Sequence, residues 1–280
     1  MTRILILLFL ISTSVFSKSI PVLDAAKKGL IKVEVKGKGG YTGDVIEMNI
    51  TNISGKDLEL LLEPGLRLDS KDSTQQDILV NRTETFVLAK GKKKVLAVSG
   101  MCCQAHNHSP KKESKFSIGK MADSLLIKMA NFINEKKFYS NSAAQHGVWV
   151  ISDKNPVNSI FDGSDSTATR LVTEFVCKLL NKPLPDYKIA YAPDTLLAFS
   201  NNATKIEGAI QYYLANNSNV TIAVYDSKGN VVQAFKKESP MNPGTYNFHY
   251  TVNVTGFPHG KYYLRVRVDG GLKKEVLLEF

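Results

Sequence analysis

Met101-Cys102-Cys103-Gln104-Ala105-His106-Asn107-His108-Ser109-Pro110 opens the stretch around which the chain is arranged. Ala144-Gln145-His146-Gly147-Val148-Trp149-Val150-Ile151-Ser152-Asp153 closes it. Two of the three cysteines, three of the five histidines and the only tryptophan fall inside it. The hydrophobic period changes across it. The N-terminal side reads as strands; the C-terminal side reads as helix and then strands again.

On the N-terminal side the strand signal is alternation. Ile31, Val33 and Val35 are interleaved with Lys32, Glu34 and Lys36. Val45–Ile50, Leu58–Leu62, Asp77–Val80, Glu84–Leu88 and Lys94–Val98 continue the pattern, broken by the glycine-rich turn 37–43 and by Pro64-Gly65. Many short strands separated by turn signals predict a β-sandwich over residues 18–110.

From Gly119 the period lengthens. Met121, Leu125, Met129 and Phe132-Ile133 are spaced for one helix face. A second helix is expected over Ala143–Ile151, capped by Ser140 or Ser142, and a third over Thr167–Leu180, capped within Ser164-Asp165-Ser166. Gly147 costs about 1 kcal/mol of helix stability relative to alanine, so its presence implies a close neighbour. The expected helical segment is 111–182, and Asn181-Lys182-Pro183-Leu184-Pro185 reads as the linker that ends it. Residues 186–280 return to the strand period, with a hairpin turn at Asp226-Ser227-Lys228-Gly229. The fold class is therefore mixed and mainly β: sandwich, helical middle, second sandwich.

Residues 1–17 combine a basic start, a short apolar run and small residues at 15 and 17, the pattern of a secretory signal peptide. The run is too short to span a bilayer, and no later segment is apolar enough to do so. The net charge is +10, but the lysines are scattered and not interleaved with aromatics, which argues against nucleic acid as the partner.

The chemistry-bearing residues admit several readings. Cys103, His106 and His108 offer soft and imidazole ligands for zinc or copper. Alternatively one strand-end cysteine bridges to Cys177, Cys103 being the partner, and the stretch is purely structural. A hydrolase using Cys103 and His146 would need a depressed thiol pKa. No Gly-x-Ser-x-Gly elbow and no His-Glu-x-x-His helix occurs. The chain is read as a non-enzyme with no cofactor, binding an extracellular protein or glycan.

Two resemblances sharpen this. Ala144-Gln145-His146-Gly147-Val148-Trp149, followed by Ser152-Asp153, is similar to the Thr-Gln-x-Ala helix of thioester domains in bacterial surface adhesins. The resemblance implies that Cys102 or Cys103 condenses with Gln145, expelling ammonia, with His146 and Trp149 in support. The product would be an acyl group for covalent adhesion. In the last third, Thr221-Ile222-Ala223-Val224-Tyr225-Asp226, Gly229, Gly244, Gly260-Lys261-Tyr262-Tyr263-Leu264-Arg265-Val266 and the ending Lys273–Phe280 resemble the sorting domain of type IX (Por) secretion substrates and the related Ig-like modules. That resemblance implies an Ig-like sandwich, recognition by the secretion machinery, a secreted or outer-surface location and a Bacteroidetes-like source.

Overall fold

A computed structural model of the chain describes residues 19–192 and 199–280. The expected signal peptide at 1–17 lies outside them. The structure is mainly β, with several sheets and a helical middle.

The N-terminal strands are β1 (Ile20–Pro21), β2 (Ile31–Lys38), β3 (Thr42–Asn52), β4 (Leu58–Leu62), β5 (Leu66–Ser70), β6 (Ile78–Val80), β7 (Glu84–Leu88), β8 (Lys93–Cys102) and β9 (Lys112–Met121). Six of them close into a barrel in the order β2-β3-β8-β6-β5-β9. The other three form a sheet in the order β1-β4-β7. A short helix, α1 (Val22–Lys27), stands where the sequence showed no clear element, and it buries Val22, Leu23 and Ala25. Leu60 of the small sheet, Met48 and Ile50 of β3 and Leu68 of β5 belong to one core.

The two-layer sandwich expected of residues 18–110 is thus replaced by a barrel with an appended sheet. Two unrecognised strands make the difference. β5 follows the Pro64-Gly65 break, and β9 lies in a lysine-rich segment beyond residue 110. β9 pairs with β5 on one side and with β2 on the other, so it is the strand that closes the ring. Its buried contribution is little more than Phe116, with Ile118 half-buried, too weak a period-2 signal among lysines and serines.

Three helices come next: α2 (Ser124–Lys136), α3 (Ser142–Ser152) and α4 (Ser166–Leu180). Each opens on a side-chain cap. The carboxylate of Asp123 accepts from the Leu125 and Leu126 amides, Asn141 accepts from Ala144, and Asp165 accepts from Ala168. α3 is apolar around most of its circumference and correspondingly central. A Cβ added at Gly147 would lie 2.6 Å from Met129 Cε of α2 and 2.8 Å from Val172 Cγ1 of α4. The close neighbours anticipated at this glycine are the two flanking helices.

The C-terminal strands are β10 (Tyr187–Tyr191), β11 (Ala203–Leu214), β12 (Ser218–Tyr225), β13 (Val231–Met241), β14 (Gly244–Asn253), β15 (Lys261–Val268) and β16 (Gly271–Glu279). They form one sheet β10-β11-β14 and another β13-β12-β15-β16. Ile206, Ile210 and Val252 of the first meet Ile222, Val224, Leu264 and Val266 of the second in a single core. The expected hairpin turn is present: Gly229 takes φ +87° and its N–H donates to the Asp226 carbonyl at 3.1 Å. No helix among the described residues is long and apolar enough to cross a membrane.

Candidate functional site

The last residues of β8 pair with β6, with Leu79 opposite Met101 and Ile78 opposite Cys102. Beyond Cys102 the chain leaves the barrel and turns through 103–109 before β9. This exit is where the barrel meets α3. Met101, Cys103 and Leu79 share an apolar cluster with Ala144, Val148 and Ile151.

Gln145 and Cys102 are brought together here. The Gln145 side chain is fully buried. Its Oε1 accepts from the Cys102 N–H at 3.0 Å and its Nε2 donates to the Cys102 carbonyl at 2.8 Å. The carboxamide therefore acts as a substitute strand, pairing with the β8 backbone one residue past the end of its pairing with β3. A buried backbone polar group left unpaired costs about 1–3 kcal/mol, so this exchange is a strong local reason for a glutamine.

Four further side chains pin the turn. Gln76, also fully buried, accepts on Oε1 from the Gln104 N–H at 3.0 Å and from Trp149 Nε1–H at 3.2 Å, and its Nε2 donates to the Asn107 carbonyl at 3.0 Å. Gln104 donates to Asp77 Oδ2 at 2.8 Å and accepts the Asp77 N–H. Asp77 also accepts from the Ser70 N–H at 2.8 Å and from Arg67 Nη2 at 3.0 Å. Asp153 accepts from the Ala105 N–H at 3.0 Å and from the Ser152 hydroxyl at 2.6 Å. The network joins β5, β6, the turn and α3, and its members satisfy one another.

All three cysteines are free and buried. Burial pushes the Cys102 thiol well up from its ordinary range. Burial likewise raises Cys103, against the opposing charge of Arg67. Both are thiols, not thiolates, at neutral pH, the opposite of what a nucleophilic cysteine requires. His146 does not serve them. Its ring stacks on Trp149 at 5.7 Å between centroids, meets Phe199 edge-on at 6.0 Å, and accepts the Phe161 N–H on Nδ1 at 3.3 Å. Burial lowers its pKa to about 4, so the imidazole is neutral near pH 7.

The remaining expectations come apart in space. Cys103 is buried while His106 and His108 stand exposed on the turn, and among the described residues no group of three or more His, Cys, Asp or Glu gathers as a metal-ligand set. Cys103 and Cys177 are not bridged. Cys103 Sγ is 3.9 Å from the Met101 carbonyl, while Cys177, near the end of α4, donates to the Pro183 carbonyl at 3.3 Å. The strand end and the helix end hold these side chains in different surroundings. Gln76, Asp77 and Arg67 went unrecognised in sequence. They lie in or beside a polar stretch that reads as loop, and nothing in a linear pattern marks a glutamine as buried.

A family model described as a secretion system C-terminal sorting domain matches residues 203–278. No curated protein matches the chain. The matched segment spans β11 to β16 and leaves out β10, which completes the first sheet. A tail of this kind implies contact with the secretion machinery and supports a Bacteroidetes source. It marks proteins that are exported and then released or held on the outer surface, and this chain is accordingly a secreted or cell-surface protein.

Proposed function

We propose that the chain is a type IX cargo whose barrel-and-helix body is an extracellular binding or adhesion module without turnover of its own, carried by an Ig-like C-terminal unit. The observation that supports this most is the state of the central network. Its polar groups are spent on one another, its thiols are buried and protonated, and its one histidine is neutral and stacked. Such a site stiffens a platform and offers no poised acid, base or nucleophile. A protein or glycan ligand would then be met by the outer surfaces of the body. Assay of the purified mature chain on ester, peptide and glycoside substrates tests the reading; clear turnover would sink it. Deleting residues 186–280 tests the role of the tail, and normal surface delivery of the truncated chain would refute it.

The meeting of Cys102 with Gln145 favours a second reading, covalent adhesion through a thioester. The paired carboxamide is the unreacted form. Intact mass of the non-reduced chain decides between them. A mass short by one ammonia, with no such deficit in Gln145→Ala, makes the thioester the leading account; the full mass leaves Gln145 as a structural staple.

A further inference from the structure

The outward face of β2 carries Lys32, Glu34, Lys36 and Lys38 at alternate positions. At about 3.3 Å per residue this row extends roughly 20 Å. Its neighbours bring more positive charge than negative, although Glu47 of β3 lies directly opposite Lys36. Lys36 lies directly opposite Lys115 of β9, and Lys38 lies directly opposite Lys112. On the other side Lys32 is in line with Thr51 of β3 and then Lys93 of β8. Like charges placed directly opposite in an antiparallel pair are destabilising, and here two such pairs occur in succession.

The acidic residues on this face do not cancel the row. Glu34 pairs with Lys32 at 3.0 Å and Glu113 with Lys36 at 2.9 Å. Each carboxylate is thereby taken up by one lysine of β2, while Lys38, Lys93, Lys112 and Lys115 add further positive charge around the row. Lys32, Lys36 and Lys93, with Glu34 held by Lys32, also line a groove of about 360 Å³ together with Asn49 and Thr51, side chains able to bond hydroxyl groups. No aromatic side chain lines the groove, so it lacks the stacking platforms of a single-stranded nucleic-acid channel.

We propose that this barrel face binds an acidic polysaccharide, its anionic groups lying along the lysine row and its hydroxyls in the Asn49–Thr51 groove. The proposal rests on the reading of the body as a binding module and supplies its ligand class. The like-charge pairs are then explained: a polyanion bound across them relieves their repulsion and releases its counterions.

The test uses the whole secreted chain with heparin as the acidic polysaccharide, dextran as a neutral one and double-stranded DNA as a second polyanion. The variant K38E/K112E/K115E is compared with K178E/K236E/K237E, which changes the net charge equally at α4 and β13. The expected result is heparin binding that weakens steeply with salt, no dextran binding, a loss of about tenfold or more in the first variant and less than about twofold in the second. Thermal unfolding of both variants, with cooperative transitions, confirms that the surface and not the fold was changed. Equal losses in the two variants would reduce the effect to net charge and overturn the proposal. So would tighter binding of DNA than of heparin at equal salt, or no heparin binding at low salt. These failures leave the binding-module reading standing, because that reading falls only to turnover.

Discussion

The barrel and the C-terminal unit are built from the same kind of short alternating strand, yet one closes on itself and the other remains two sheets over one core. In the C-terminal unit most pairings join strands close in sequence, as β12–β13 and β15–β16 do, and β11, β12 and β15 each bury a clear row of side chains. In the barrel, closure depends on β9 reaching back to β2 across most of the domain, with Phe116 as its main apolar anchor. The body also spends buried polar groups at the β8 exit to finish a strand with a helix side chain. Closure thus makes the barrel sensitive at a few positions, whereas the open unit spreads its stability along its strands.

That contrast can be broken at β9. Phe116→Ala is expected to cost the body about 3–5 kcal/mol. Trp149, the only tryptophan, reports on that body by fluorescence, and the backbone signal of the C-terminal unit should unfold as before. A cost below about 1 kcal/mol would mean that β9 is not what holds the ring shut.

Gln145→Ala tests the staple. The Cys102 N–H keeps a longer bond to the Tyr41 carbonyl at 3.3 Å, but the Cys102 carbonyl is left without its donor. A loss of about 2–3 kcal/mol in chemical denaturation is expected. Gln145→Glu should not rescue it, because the carboxylate supplies no donor.

His146 sharpens the comparison through pH. Its folded pKa, about 4, lies below the ordinary 6.5, so between those values the unfolded chain binds more protons than the folded one. Stability of the body should therefore fall as pH drops through that window, by on the order of 2 kcal/mol, and recover above it. His146→Phe should flatten the profile.

Gly147→Ala, with its Cβ forced toward Met129 and Val172, should cost about 1–3 kcal/mol by overpacking. The smallest effect is a gain. Lys38→Glu turns a like-charge pair with Lys112 into an attractive one and should raise the melting temperature by about 1 °C at low salt. An unchanged melting temperature would mean that the exposed pair is fully screened.

The three helices and six of the seven C-terminal strands were legible because they carry strong periods; of the caps only Asp165 of α4 was anticipated, α3 being capped by Asn141 instead of Ser140 or Ser142. β10 went unread just beyond the linker at 181–185, although Ile189 is buried in the C-terminal core. The meeting of residue 145 with the strand end at 102 was legible too, as a pairing of segments. Its atoms were not: the carboxamide engages the Cys102 backbone, while buried Gln76 comes from a stretch that looks like solvated loop and half-buried Asp77 from the edge of the short strand beside it.

Local patterning by itself determined where the chain alternates, where it coils and where it turns, because these depend on neighbours two to four residues away. Its last third also carried the secretion signature. Only the tertiary structure decided that the first strands form a barrel, that the cysteines are buried and unbridged, and that the lysines of β2, β8 and β9 converge on one face. Those outcomes depend on pairing across many tens of residues and on desolvation, and neither leaves a mark in the spacing of side chains along the chain.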